Sequence, residues 1–409
     1  MTELCFGDFN TRTGLDGKIR ELLTVVMLAS LGGADMQVKS RVEGPLKAGN
    51  TKEEVVCGLV HASGYKWIPR LFNALNLSKD LLSESRRICK LELEETMMEL
   101  KQLPKIALGA WAWGNDGTFG DNMTASDLRP VFDAAMKAGL NLWDTAFAYG
   151  LGTSEKVLGE FLKDYPRENY LISDKFTPQC ADPDTENAVV ALYETSARLL
   201  GTDEMDLYWI HNPVGAPKWI RKLIPLAKTG KIGRIGLSNH NLAEIKEAAA
   251  ILEAEGLKIS AIQNHFSLLN RSSETSGILD YCKEHDIAFF SYMVLEQGAL
   301  SGKYDTKHPF PQNSDRGAVY NPMLSQLEQL NNCMKEIAAK HGVSVAQIPV
   351  AWAIAKGTLP IIGVTKVYQV EDAAKAAALE LSGDEMETME RVADEMGLDV
   401  IRYWEKEMR

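Results

Sequence analysis

No apolar run in these 409 residues reaches the roughly 18–20 that a membrane-spanning helix needs. Positive charge is in short supply: 44 Lys and Arg against 56 Asp and Glu leave a formal net charge of −12. Such a chain lacks the basic face that neutralises phosphate, which argues against nucleic acid and against an anionic membrane surface as partners. Cysteine is sparse, and the six thiols (Cys5, Cys57, Cys89, Cys180, Cys282, Cys333) form no Cys-x-x-Cys pair and no metal-ligand spacing. No metal is expected, and the thiols read as reduced groups of a cytoplasmic protein. The opening Met-Thr-Glu-Leu-Cys has neither the basic nor the apolar region of a secretory signal. No Gly-x-Gly-x-x-Gly follows an early strand, so a doubly wound nucleotide site is not indicated.

The composition that remains, 45% hydrophobic and 24% charged, is that of a soluble globular protein. Residues 13–100 carry only helical signals. Arg20–Leu31 is an apolar-rich helix ending at Gly32-Gly33, and a second helical stretch runs from Met36 to Ala48. Thr51-Lys52-Glu53-Glu54 has the capping-box form that opens a third. The rhythm changes at Leu103-Pro104, where short apolar strands begin to alternate with amphipathic helices. Strands are expected near 106–110, 140–144, 170–175, 205–210, 233–237, 260–264, 287–291 and 360–363, with helices such as Asp127–Ala138, Ala188–Leu200, Leu242–Glu255 and Leu324–His341 between them. Eight strand–helix units in about 260 residues predict an α/β protein with a (β/α)8 TIM barrel. The expected organisation is a small all-α domain over residues 1–85, a helical connector over 86–104 and the barrel over 105–409.

Four polar residues stand at or just past successive strand ends: Asp144, Tyr149, Lys175 and His211. In a parallel barrel that end is where active sites lie. The order and context of these residues resemble the catalytic tetrad of the aldo-keto reductases, which reduce a carbonyl by adding a hydride to carbon and a proton to oxygen. A free phenol, with a pKa near ~10, is a poor acid at neutral pH, and a neighbouring ammonium favours its phenolate. The set therefore suits Tyr149 as general acid, Lys175 as the cation that tunes it, Asp144 as the anchor of Lys175, and His211 as the group that positions the substrate oxygen.

The resemblance to the aldo-keto reductases extends over residues 105–400. It implies an NADPH-dependent enzyme that moves hydride reversibly between nicotinamide and a small-molecule aldehyde or ketone. Gly109-Ala110-Trp111-Ala112-Trp113-Gly114 is similar to the first-strand turn that approaches the nicotinamide ribose, with Trp113 an alternative wall of a substrate pocket that also holds Tyr149 and His211. Asp144 is shared with the cofactor site. Ser238, Asn239 and Gln263 match the residues that hold the carboxamide, and Tyr292 matches the aromatic that stacks on the nicotinamide. Leu295, Gln297 and Gly298 follow the pyrophosphate-covering loop. Gly363, Thr365, Lys366 and Gln369 resemble the eighth-strand region that binds the 2′-phosphate, although Pro360 and Thr365 depart from the usual pattern there. The cation and hydroxyl favour NADPH over NADH.

The N-terminal region resembles a second family, the carboxymuconolactone decarboxylase/AhpD-like helical proteins. The resemblance lies in Gly14-Leu15-Asp16, Arg20–Thr24, Leu28–Gly33, Lys47–Glu54 and His61–Tyr65. The Cys-x-x-Cys of redox-active relatives is absent, and Ser40 or Arg41 stands where such relatives have a histidine, so thiol chemistry is not expected. Glu21 and His61 read as helix-packing or capping residues. The resemblance implies homo-oligomerisation through this segment. Two other readings stay open: a non-catalytic, cofactor-sensing barrel subunit, and a bifunctional enzyme with a decarboxylase-like N-terminal module. Loops near 114–125, 177–184, 212–218 and 298–322 are expected to set specificity.

Overall fold

The structure is a computed structural model that describes residues 16–31, 38, 41, 43–52, 54–55, 58–59, 102–120, 122–406 and 408. Two compact units are present, and the larger begins at Leu103. In the smaller, helix α1 spans Gly17–Leu31 and a short helix α2 spans Glu43–Lys47. The expected capping box is formed: Thr51 N–H donates to Glu54 Oε2 at 2.8 Å, and Glu54 N–H donates back to Thr51 Oγ1 at 3.1 Å. Asn50 Nδ2 donates to the Lys18 and Pro45 carbonyls. His61, and most of the connector expected over 86–104, lie outside the described residues.

The larger unit is a closed parallel barrel whose strands follow one another in chain order. They are β1 (Ala107–Gly109), β2 (Leu142–Asp144), β3 (Leu171–Phe176), β4 (Met205–Ile210), β5 (Ile232–Ser238), β6 (Ile259–His265), β7 (Ala288–Tyr292) and β8 (Leu359–Gly363). All eight expected strands are present. Side chains alternate across each strand. Ala107, Leu142, Leu171, Leu207, Trp209, Ala261, Phe290 and Leu359 fill the barrel interior. The intervening residues, Leu108, Trp143, Ile172, Tyr208 and Ile262 among them, pack outward against the helical layer.

That layer contains α3 (Ala125–Lys137), α4 (Thr153–Leu162), α5 (Ala188–Leu200), α6 (Ala216–Thr229), α7 (Leu242–Glu253), α8 (Ile278–Glu284), α9 (Asp315–Tyr320), α10 (Leu324–His341), α11 (Gln347–Ala355), α12 (Val367–Ala376) and α13 (Gly383–Met396). Side-chain caps start several of them, as Thr124 does for α3, Asn241 for α7 and Ser382 for α13.

Candidate active site

Alternation along β2 and β3 turns Asp144, Ser173 and Lys175 into the barrel at its C-terminal end. Tyr149 follows in the turn after β2. That turn packs backbone against backbone on the turn after β1: a Cβ on Gly150 would lie 2.0 Å from the Gly114 carbonyl oxygen, and Gly150 has φ +66. Glycine at both positions lets the Tyr149 loop seat this closely.

Lys175 Nζ donates to Asp144 Oδ2 at 2.5 Å, to the Thr145 carbonyl at 2.7 Å and to the Tyr149 hydroxyl oxygen at 3.2 Å. The ion pair is buried. The other carboxylate oxygen, Asp144 Oδ1, accepts from Ser173 Oγ at 2.6 Å and Gln263 Nε2 at 3.2 Å, and Trp209 Nε1 donates to Ser173 Oγ at 2.7 Å. Burial works against the Lys175 charge, but Asp144 and Tyr149 outweigh it and raise its pKa, so the ammonium is held.

Burial also pushes the Tyr149 phenol upward. Lys175 pulls it down and Asp144 pushes it up, and the net direction is above the ordinary value. The expected tuning by Lys175 is therefore present but smaller than desolvation, and the phenol keeps its proton. Burial and the Lys175 charge lower His211 to about 3, leaving a neutral imidazole. His211 Nδ1 lies 2.7 Å from Thr177 Oγ1. With that hydroxyl as donor, Nε2 carries the ring proton. The His211 ring meets the Tyr149 ring edge-on at 5.9 Å.

A cavity of about 1320 Å³ opens over these groups. It is larger than the ~300–1,000 Å³ of an ordinary small-ligand pocket. Of the residues expected at the site, Gly109, Trp111, Asp144, Tyr149, His211, Ser238, Asn239, Gln263, Tyr292, Leu295, Gln297, Gly298, Gly363, Thr365 and Gln369 line it. Asn239 Oδ1 accepts from Tyr292 Oη at 2.5 Å. Thr365 and Lys366 both direct backbone N–H groups at Gln369 Oε1, at 2.7 and 2.9 Å, before α12. Lys366 itself is exposed and stands outside the cavity lining.

Two further expected residues, Ala110 and Trp113, also lie outside the lining. Ala110 is fully buried, its N–H bound to the Asp144 carbonyl and its own carbonyl to Ser154. Trp113 is not a substrate-pocket wall. Its indole is fully buried against Trp143 and Phe161, and Nε1 donates to the Val364 carbonyl at 2.8 Å. The reason is local: Trp111–Gly114 is a 3₁₀ turn, so residues two apart point to widely different sides. Trp111 takes the pocket side, stacked on Tyr149 at 5.7 Å and meeting Phe119 and Trp404 edge-on.

Trp404 belongs to a C-terminal segment, Arg-Tyr-Trp-Glu-Lys-Glu-Met-Arg, whose sequence reads only as a charged run. In the structure Tyr403, Trp404, Glu405 and Lys406 line the cavity. Glu405 Oε2 lies 2.9 Å from His265 Nδ1, and Glu296 Oε1 lies 2.8 Å from His265 Nε2. Burial opposes the His265 charge, yet the two carboxylates raise its pKa to about 10. Tyr320 Oη donates to Glu296 Oε2 at 2.6 Å, and Arg402 donates to Gln297 Oε1 at 2.9 Å. A tryptophan and an arginine within a charged terminal run were the only sequence signal of this attachment. Ser173, Trp209 and Thr177 were also missed, because their roles rest on spatial contacts that strand spacing does not reveal.

Residues 105–394 match the aldo/keto reductase family, and residues 1–80 match the carboxymuconolactone decarboxylase family. The chain is 30% identical over 316 residues to a chloroplastic pyridoxal reductase of Arabidopsis thaliana, covering 73% of this chain and 85% of that one. It is 32% identical over 300 residues to an uncharacterized oxidoreductase of Mycobacterium tuberculosis, covering 70% and 88%. Among solved structures, a thermostable aldo-keto reductase in complex with the inhibitor epalrestat is similar with a TM-score of 0.59 at 26% identity, over 71% of this chain and 95% of that one. An aldo/keto reductase from Klebsiella pneumoniae in complex with NADP and acetate gives 0.56 at 24% identity, over 71% and 92%, and supports the fold. The chain belongs to the aldo/keto reductase family, NAD(P)H-dependent oxidoreductases acting on aldehyde, ketone or alcohol groups, and carries a carboxymuconolactone decarboxylase family segment at its N-terminus.

Proposed function

We propose that the barrel reduces an aldehyde or ketone with NADPH, reversibly, with Tyr149 giving the proton to the carbonyl oxygen. The observation that carries this reading is the Tyr149 hydroxyl, 3.2 Å from a Lys175 ammonium held by Asp144, at the floor of the large cavity. Nicotinamide, when bound, supplies the hydride.

The protein's own groups account for the rest. His211, neutral and fixed by Thr177, offers an N–H to the carbonyl oxygen and orients it beside the phenol. Tyr149, kept protonated by burial, donates. Lys175 stabilises the phenolate that remains, and Asp144 keeps Lys175 charged and still. The residues suit the cofactor. Gln263 spends its amide N–H on Asp144, and its oxygen accepts no hydrogen bond among the described residues, so it can receive a carboxamide N–H beside Ser238. Leu295 and Gln297 lie along the same cavity toward Thr365 and Gln369, with Lys366 as the cation for a 2′-phosphate. A panel of aldehydes and ketones with NADPH and NADH, followed by cofactor absorbance, tests the reading. Turnover with NADPH is expected, and no turnover of any carbonyl would favour a cofactor-sensing barrel.

The N-terminal segment serves assembly on this reading. Ile19, Leu23 and Met27, four residues apart on α1, are 43%, 41% and 58% exposed, an apolar stripe suited to a second copy of the same segment. Leu23→Glu with Met27→Glu should lower the particle mass in light scattering, and a monomeric wild type would end the proposal. Cys180, Cys282 and Cys333 are unpaired thiols, in keeping with a reducing cytoplasmic setting.

A further inference from the structure

On the opposite face of β3 from Lys175, Asp174 points out of the barrel into the helical layer. It is completely buried, and so are Glu155 in the first turn of α4, Ser196 of α5 and Tyr208 of β4, the strand neighbour in register with Asp174. Both oxygens of each carboxyl, the Ser196 hydroxyl and the Tyr208 hydroxyl are buried with no hydrogen-bond partner among the described residues. The titratable neighbours on the packed elements are Lys175, Tyr208, Tyr193, Cys180 and Tyr149. Tyr193 already donates to the Asp203 and Lys231 carbonyls, and Lys175 is spent on the other face with Asp144. Glu155 and Asp174 each act on the other's charge; two buried carboxyls so coupled cannot both carry charge, and sharing one proton gives each a partner.

We propose that Glu155 and Asp174 share a single proton, and that the bond this proton makes is a clamp that positions Tyr149 against Lys175. The geometry gives the clamp its leverage. Asp174 directly precedes Lys175 in β3. Glu155 opens α4, joined to Tyr149 by the tight Gly150–Gly152 turn, and its neighbour Ser154 is pinned to the Ala110 carbonyl at 2.7 Å and to Thr145 at 2.9 Å. The clamp thus ties together the two segments that carry the ends of the Tyr149–Lys175 hydrogen bond. Its proton is retained across neutral pH: burial, then Asp174, raises Glu155 to about 9, and burial raises Asp174 to about 6. Loss of the proton places two repelling charges in the layer and opens the clamp. Glu155 and Asp174 are positioning residues, acting on catalysis only through Tyr149.

The test is the pH profile of kcat for carbonyl reduction, with cofactor affinity measured alongside. Wild-type kcat should fall as pH rises through about 9. Glu155→Gln keeps a neutral donor that cannot ionise, so its alkaline limb should move up by about one pH unit or more, toward that of Tyr149 itself, with cofactor Kd unchanged. Asp174→Asn should do the same and stands in if Glu155→Gln fails to fold. A wild-type measurement needs no variant: infrared spectra between pH 7 and 10 should show a buried protonated carboxyl disappearing. Superimposable profiles, or no protonated carboxyl at neutral pH, would overturn the clamp. The proposal rests on Tyr149 as the acid, yet the two fail separately. An active Tyr149→Phe removes the acid, whereas an inactive Tyr149→Phe with an unshifted Glu155→Gln profile removes only the clamp.

Discussion

Lys175 Nζ reaches Tyr149 Oη at 3.2 Å while its ion pair with Asp144 is buried at the base of the cavity. The same ammonium therefore supports chemistry and stability, and substitution exposes both. Lys175→Met should cost roughly 10²–10⁴-fold in turnover. It also strands Asp144 in the interior, which destabilises by about 3–5 kcal/mol. The double variant Asp144→Asn with Lys175→Met should regain much of the thermal stability and none of the activity. Melting and kinetics on the three variants check this, and recovery of both together would mean the pair acts only on folding.

Lys366 is exposed at the start of α12, outside the cavity lining, where a cofactor 2′-phosphate is proposed. A hydrogen bond to a charged group contributes about 1.5–3 kcal/mol, roughly ten- to hundred-fold in affinity. Lys366→Ala should weaken NADPH by about that factor and leave NADH nearly unchanged in fluorescence titrations. An equal loss for both would remove Lys366 from the phosphate site.

The two tryptophans of the first turn should separate cleanly. Trp113→Phe leaves the Val364 carbonyl without its donor and should cost about 1–3 kcal/mol in stability, with little change in KM. Trp111→Ala, beside Tyr149, should raise KM for bulky carbonyls. Trp404→Ala removes the wall that the C-terminal segment supplies, and should change the kcat/KM ratio between aromatic and small aliphatic aldehydes by about tenfold or more. An unchanged ratio would exclude Trp404 from specificity.

The Glu405–His265–Glu296 cluster makes the attachment of the C-terminal segment depend on pH. His265 is raised from 6.5 to about 10 in the folded protein. A group raised on folding gives its full stabilisation below its unfolded value, and that contribution fades as pH climbs through the folded one. Thermal stability should thus decline between about pH 6.5 and 10 more steeply in wild type than in a His265→Gln, Glu405→Gln variant. Parallel curves would show that the cluster carries no such linkage.

Much of this was legible in the chain. The eight strands fall where short apolar runs lie between helical periods, because a strand buried on both faces leaves that mark. Asp144, Tyr149, Lys175 and His211 were findable because each stands at or just past a strand end. Trp111 and Trp113 were not separable, since the direction of each side chain depends on a 3₁₀ turn only four residues long. The sign of the Tyr149 shift was also hidden, because desolvation depends on the depth of burial. The clamp and the terminal attachment join residues distant in sequence, Glu155 to Asp174 and His265 to Glu405, and no local pattern encodes such contacts.

The central claim is that Tyr149 delivers the proton. Its most direct test is the turnover number of Tyr149→Phe with NADPH and a carbonyl that the wild type reduces, with cofactor affinity measured on the same sample. Only a hydroxyl is removed, so fold and cofactor Kd should persist while turnover falls about 10²–10⁴-fold. A variant that binds cofactor normally and keeps more than about half of the wild-type turnover would contradict the account, because a lost general acid cannot cost so little.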